Sequence, residues 1–105
     1  MSVSVSGLVK WVRGFMRKHY NIKAQGEVQD VGFRWAAKQE ADKRGIVGVV
    51  QNMPDGTLYI EAEGEQAQLE EFVNWCKQGP MFASVHNLEF TEAELRNFPD
   101  FNIVV

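Results

Sequence analysis

The residues best suited to chemistry lie at positions 26–34, where a short loop joins a predicted strand to a predicted helix. Backbone N–H groups at the start of a helix have no partner within the helix, and the helix dipole adds positive potential there. Arg34, in the first helical turn, adds a planar group of five donors that suits a phosphate or a carboxylate. The 26–34 loop therefore predicts an anion-binding site.

Two features of this loop support other interpretations. Asp30 places a carboxylate in the middle of a segment that otherwise suits an anion. An arginine at a helix start is, moreover, a common surface or ion-paired residue. A purely structural role for Arg34 is therefore the alternative to anion binding.

Alternation of apolar and polar side chains predicts the strands that flank the loop. Residues 19–28 and 57–63 alternate in this way, and residues 46–53 form a run rich in β-branched side chains. A Pro-Asp-Gly turn at 54–56 lies between the last two segments. We therefore expect residues 46–63 to form a β-hairpin.

Apolar residues at helical spacing predict two core helices, at 33–44 and 65–78, each followed by a glycine. Residues 101–105 form a short closing strand. Residues 84–92 are a weaker strand prediction, because their apolar residues do not keep one parity, and a β-bulge would explain this.

The order of elements is βαββαβ with an added terminal strand. This order predicts an α+β, ferredoxin-like split βαββαβ sandwich, with two helices on one face of a largely antiparallel sheet. The 105 residues suffice for one domain at 19–105. We interpret residues 1–18 as an N-terminal extension, either helical or partly disordered; its basic amphipathic pattern also suits a membrane surface, which is the alternative.

Charge and cysteine content narrow the function classes. Four of the eleven bases lie in residues 1–20, which contain no acid, so the remaining chain carries fourteen acids against seven bases. Such an acidic body is a poor nucleic-acid binder. A single cysteine, Cys76, fits a reducing compartment, and no apolar run is long enough to span a bilayer. We therefore expect a cytoplasmic monomer without nucleic-acid or membrane partners.

His19 and His86 have no partner at a useful spacing, and we interpret both as ordinary strand residues.

Two motifs resemble those of the acylphosphatase family. The first is Gly-Glu-Val-Gln-Asp-Val-Gly-Phe-Arg at 26–34, and the second is Gly-Ile-Val-Gly-Val-Val-Gln-Asn-Met-Pro-Asp-Gly at 45–56. The closing Phe-Asn-Ile at 101–103 also looks like the last strand of the family. The resemblance covers residues 19–105, and two motifs at the right separation are more specific than a lone glycine-rich loop.

The resemblance implies a hydrolase that cleaves the carboxyl–phosphate bond of acyl phosphates without a metal or cofactor. It implies that Arg34 holds the phosphoryl oxygens and that Asn52 orients the attacking water. The loop residues it places on the phosphate are Gln29, Asp30, Val31, Gly32 and Phe33. Asn52 beside a turn would otherwise be interpreted as a residue that shapes its own backbone.

Asp30 is the departure from the family pattern, which has glycine at this position. Aspartate tolerates a left-handed backbone, so the loop can still form. We expect the carboxylate to point outward and to weaken phosphate binding; if it points inward, it pairs with Arg34 and competes with the substrate. A non-catalytic anion-binding module is therefore the main alternative function, and an RNA-binding domain of the same topology is the second.

Overall fold

The computed structural model describes residues 16–105. Each predicted core element is present there, and its ends differ from the prediction by one or two residues at most. The predicted amphipathic helix near the N-terminus lies almost wholly in residues 1–15, outside the described part of the chain. The elements in order are β1 Arg17–Glu27, α1 Phe33–Lys43, β2 Val47–Asn52, β3 Leu58–Glu65, α2 Gln66–Gln78, β4 Ser84–Ala93 and β5 Phe101–Val104.

The five strands form one sheet in the order β4-β1-β3-β2-β5. β1 lies antiparallel to β3 and β4, and β2 lies antiparallel to β3, whereas β5 joins β2 in parallel. The two helices contact the sheet and each other. This arrangement confirms the predicted ferredoxin-like sandwich.

Both helices bury the apolar stripes that the sequence predicts. The small alanines of α1 let its backbone lie close to the sheet, and the larger side chains of α2 fill the space beside it. Phe72 packs on Trp75 and on Phe101 of β5, with ring centroids 6.1 and 6.2 Å apart. The buried helix residues are Phe33, Ala37, Ala41, Leu69, Phe72, Val73 and Cys76.

The irregular alternation of β4 arises from a bulge, as predicted. Gln25 of β1 faces Asn87, but the next residue, Gly26, faces Val85. His86 is therefore an extra residue in β4. The bulge returns the apolar residues on either side of it to one face of the sheet.

Gly26 is required at the same place by close approach of the two strands. It has φ 127°, and a Cβ on it would lie 2.3 Å from the carbonyl oxygen of Ser84. Only glycine fits here. The bulge and Gly26 together mark the point at which β1 leaves the sheet and the 26–34 loop begins.

The face of the sheet opposite the helices contains a buried polar cluster that the sequence did not reveal. His19 Nδ1 lies 2.9 Å from Glu63 Oε2, and its Nε2 lies 2.7 Å from Asn21 Oδ1 and 3.2 Å from Glu61 Oε1. His19 and Glu63 are fully buried. The interpretation of His19 as a residue without a partner was therefore wrong: Asn21 lies two residues along β1, and both carboxylates come from β3, far away in the chain.

Glu63 also fixes the segment that connects β4 to β5. Its carboxylate accepts hydrogen bonds from the backbone N–H groups of Arg96, Asn97 and Phe98. Burial by itself would raise the pKa of Glu63, but these N–H groups and His19 favour the charged form and hold the pKa below its ordinary value. The ionised carboxylate thus holds residues 96–98 against the face of the sheet opposite the helices.

We predict that Glu63→Gln lowers the free energy of unfolding by about 3 kcal/mol at pH 7. Both carboxylate oxygens of Glu63 accept backbone N–H groups, so the amide nitrogen of glutamine faces an N–H donor whichever oxygen it replaces. Because folding lowers the pKa of Glu63, its ionised carboxylate stabilises the folded protein at pH values above the pKa of an unfolded glutamate, about 4.3. This contribution is lost as the pH falls through the pKa of Glu63 in the folded protein. The difference between wild type and variant should therefore shrink below about pH 4.

Urea unfolding followed by circular dichroism at several pH values measures this difference. Glu89→Gln, on an exposed position of β4, is the matched control and should change the free energy of unfolding little. A Glu63→Gln deficit that stays constant down to pH 3 would contradict the assigned role of the carboxylate.

Candidate active site

A cavity of about 220 Å³ opens where the 26–34 loop, the start of α1 and the ends of β2 and β5 meet. Both sequence motifs therefore contribute to one site, although α1 and β2 separate the 26–34 loop from Asn52 in the chain. The lining residues are Val28, Asp30, Gly32, Phe33, Arg34, Trp35, Asn52, Ile103 and Val105.

The loop reaches α1 through two residues with left-handed backbone. Asp30 has φ 60°, and Gly32, the residue that caps α1, has φ 81° and ψ 12°. No side chain caps the helix, and its first turn contains no acidic residue. The N–H groups of the first turn consequently remain available to an anion, and the helix dipole is not offset by a carboxylate within the helix.

Gln29 fastens this loop to the hairpin. Its Nε2 donates to the carbonyl oxygens of Met53 and Thr57, at 2.8 and 2.9 Å. The Met53 N–H in turn donates to the Thr57 carbonyl at 2.8 Å, and Asp55 Oδ1 accepts from the N–H and hydroxyl groups of Thr57. The side chain of Gln29 is thus a structural tie, which leaves only its backbone N–H for a ligand.

Arg34 carries a charge without a carboxylate partner at the cavity. Its Nη1 lies 3.5 Å from the carbonyl oxygen of Val104, a weak contact. Among residues 16–105 no acidic side chain forms an ion pair with it. The structural alternative, in which Arg34 serves an ion pair, therefore has no support in the described residues.

Asn52 brings the second polar group to the cavity. It is the last residue of β2 and pairs with Leu58, so the strand register determines its direction. Its Oδ1 is buried and has no hydrogen-bond partner in the described part of the protein. Buried polar atoms are rarely left unsatisfied, because each costs about 1–3 kcal/mol. Asn52 Oδ1 is therefore free to accept a hydrogen bond from a donor outside the described residues.

Asp30 lies at the rim of the same cavity. It is exposed, and no ion pair joins it to Arg34 in the region that the structure describes. Its left-handed backbone is the conformation that the sequence interpretation expected aspartate to tolerate here.

The structure brings most of the predicted site residues together. Asp30, Gly32, Phe33, Arg34 and Asn52 line the cavity. Val31 instead packs against the core. Over residues 16–105 no group of three or more His, Cys, Asp or Glu side chains is placed to hold a metal ion, and no helix there is long and apolar enough to cross a membrane.

Sequence reasoning missed four apolar lining residues, Val28, Trp35, Ile103 and Val105. Val28 and Ile103 belong to strand patterns that look like ordinary core. Trp35 carried a usable signal, since an aromatic residue directly after the candidate arginine lies off the apolar stripe of α1.

Comparisons with known proteins show the family of this chain. The acylphosphatase family model matches residues 20–103. An acylphosphatase of Lactiplantibacillus plantarum is 48% identical over 83 residues, which cover 78% of this chain and 92% of that protein. An acylphosphatase of Archaeoglobus fulgidus is 42% identical over 82 residues, with the same two coverages. The crystal structure of acylphosphatase from Bacillus subtilis superposes with a TM-score of 0.82 at 41% identity and covers 86% of this chain and all of that one. This chain belongs to the acylphosphatase family, a family of enzymes.

Proposed function

We propose that this protein hydrolyses the carboxyl–phosphate bond of acyl phosphates to a carboxylate and inorganic phosphate. Membership of the family supports this reaction in general. The observation that carries the residue assignment is one cavity lined both by Arg34, which has no carboxylate partner, and by Asn52, whose buried Oδ1 has none in the described residues.

In this proposal the phosphoryl group binds at the start of α1. The backbone N–H groups of residues 29–33 and the guanidinium of Arg34 surround its oxygens. Left-handed backbone at Asp30 and Gly32 turns the loop around a common centre, and the uncapped helix end contributes its dipole. Because these donors are fixed before the substrate arrives, little reorganisation is needed as charge develops in the transition state.

Asn52 is proposed to orient the attacking water. A neutral amide offers both an acceptor and donors, so it can hold water without repelling the phosphoryl group. Its Oδ1 would accept a hydrogen bond from the water and aim the water's lone pair at phosphorus. Holding both reactants in this way lowers the entropic part of the barrier.

In this proposal the reaction needs no side chain as a general acid or base. The water oxygen bonds to phosphorus while the bond from phosphorus to the carboxyl oxygen breaks, and the carboxylate leaves with that electron pair. A carboxylate is a good leaving group, so it needs no general acid. The proton of the water passes to a phosphoryl oxygen. Positioning and electrostatic stabilisation then suffice, as in phosphoryl transfer generally.

A second candidate, an anion-binding module with little or no turnover, is favoured by Asp30. The carboxylate at the cavity rim repels an incoming phosphate, and the repulsion is about 1 kcal/mol at 4 Å in water. We propose that the side chain stays directed outward, so that affinity is weakened but the amide cradle survives. RNA binding has no comparable support, since the body of the chain is acidic.

The catalytic roles predict that Arg34→Ala and Asn52→Ala each lower kcat/KM for benzoyl phosphate by roughly 100-fold or more. For Arg34 this is the usual cost of one lost transition-state donor, and for Asn52 it is the usual cost of a misplaced reactant, here the attacking water. Arg17→Ala and Asn74→Ala, at exposed positions away from the cavity, are matched controls and should hydrolyse the substrate at the wild-type rate. Continuous absorbance assays of benzoyl phosphate provide the rates. Equal rates for all five proteins would leave only the binding module.

The role of Asp30 predicts that removing its charge improves phosphate binding. Asp30→Asn keeps the size and the tolerance for a left-handed backbone, whereas Asp30→Gly also restores the family residue. Both variants should bind inorganic phosphate about fivefold more tightly, because about 1 kcal/mol of repulsion is removed.

Competitive inhibition by phosphate at low ionic strength measures this affinity. The gain should fall as salt is added, since the groups are exposed and screened. If only Asp30→Gly improves binding, backbone freedom and not charge is the limiting factor. If neither variant improves it, the proposed effect of Asp30 is wrong.

The hydrogen bonds from the Gln29 side chain to the hairpin predict that a substitution of Gln29 lowers both stability and activity. Gln29→Met keeps the length of the side chain but removes both hydrogen bonds to the hairpin. We expect a loss of about 1–2 kcal/mol in the free energy of unfolding and a roughly tenfold fall in kcat/KM, because the loop and Asn52 lose their fixed separation. Gln39→Met, on the exposed side of α1, is the matched control. A stability loss without any kinetic effect would show that the tie is only structural.

A further inference from the structure

We propose that Trp35 forms a subsite for the acyl group and makes the enzyme prefer aromatic acyl phosphates over small aliphatic ones. This inference rests on the proposed function, because it assigns the part of the substrate that the phosphoryl cradle leaves unbound. Trp35 immediately follows Arg34 in α1 and lines the same cavity.

The surroundings of Trp35 differ from those of an ordinary core tryptophan. Its side chain is 65% exposed, although it stands in the first turn of a helix whose neighbours are well packed. Trp75, by contrast, packs on Phe33 and Phe72, with ring centroids 5.5 and 6.1 Å apart. In the described residues Trp35 has no such aromatic partner. Its large apolar surface therefore contributes little to folding and is available to a ligand.

The cavity has room for more than a phosphoryl group. Its volume of about 220 Å³ corresponds to about seven water molecules at about 30 Å³ each, and the five heavy atoms of a phosphoryl group with its bridging oxygen do not fill it. An acyl group would begin in the remaining space and extend out of the cavity over the exposed side chain of Trp35. The groups assigned to the phosphoryl end are the loop amides and Arg34. The lining residues that this assignment does not use include Trp35 and the apolar Ile103 and Val105.

These neighbours select the chemistry of the acyl group. Ile103 and Val105 offer no hydrogen-bond donor or acceptor from their side chains, so they favour an apolar group. The indole ring stacks best on another flat ring, and such a pair is worth about 0.5–1.5 kcal/mol beyond area burial. A benzoyl group can use this surface, whereas the single methyl of an acetyl group cannot cover it.

Binding of two non-hydrolysable analogues tests the subsite without requiring turnover. In phenacylphosphonate and acetonylphosphonate a methylene replaces the bridging oxygen of benzoyl and acetyl phosphate. Titration calorimetry gives Kd for each. We expect wild type to bind phenacylphosphonate roughly five- to tenfold more tightly than acetonylphosphonate, and Trp35→Ala to reduce this ratio at least about threefold.

Two further variants separate stacking from other effects. Trp35→Phe retains an aromatic face and should keep the Kd ratio within about twofold of wild type. Phe82→Ala removes an equally exposed aromatic side chain, 76% exposed, on the segment between α2 and β4, and should leave the ratio unchanged. In hydrolysis, Trp35→Ala should raise KM for benzoyl phosphate with little change in kcat, since acyl binding is equal in ground and transition states.

The possible results are distinct. Equal Kd values for the two analogues in wild type, no binding of phenacylphosphonate, or an unchanged ratio in Trp35→Ala would each overturn the subsite. The proposed function fails on a different observation, namely wild-type hydrolysis of benzoyl phosphate no faster than that of Arg34→Ala. A protein that binds phenacylphosphonate preferentially through Trp35 but does not turn over would retain the subsite and lose the activity.

Discussion

The two hydrogen bonds from Gln29 to the carbonyl oxygens of Met53 and Thr57 are the contact on which the site depends. The 26–34 loop is also shaped by the close approach of Gly26 to Ser84 of β4, by the left-handed backbone of Gly32 at the start of α1, and by Val31, which packs against the core. Asn52 lies at the end of β2, in the hairpin. Gln29 adds a side-chain link between the loop and the hairpin, and this link limits changes in their separation.

The site is built from polar groups that folding leaves unsatisfied. The first-turn amides of α1, the guanidinium of Arg34 and the Oδ1 of Asn52 each forgo a strong partner within the described residues. Such groups cost stability, and the rest of the domain must offset that cost. The continuous apolar core and the Glu63 cluster on the other face of the sheet provide that stability.

Asp30 and Trp35 are the two residues that we propose modify substrate binding at this site. Both lie at the rim of the cavity, one negatively charged and one apolar. In our proposals the first weakens the hold on the phosphoryl group and the second recovers binding energy from the acyl group. A substrate with an aromatic acyl group would then depend less on the phosphoryl cradle than a small one would. Binding energy remote from the reacting bond is a usual means of offsetting such a cost.

The sequence by itself determined the order and type of the elements, the ferredoxin-like class and the left-handed tolerance at Asp30, because these follow from local periodicity, turn chemistry and residue type. The two motifs were also visible in the sequence, through their resemblance to those of the acylphosphatase family. Only the tertiary structure showed that Gln29 is a tie, that Asn52 Oδ1 is buried without a partner, and that Trp35 lines the cavity. It also corrected His19, whose carboxylate partners lie on the neighbouring strand β3. These facts depend on contacts between residues far apart in the chain, and side-chain spacing along one strand or helix carries no information about them.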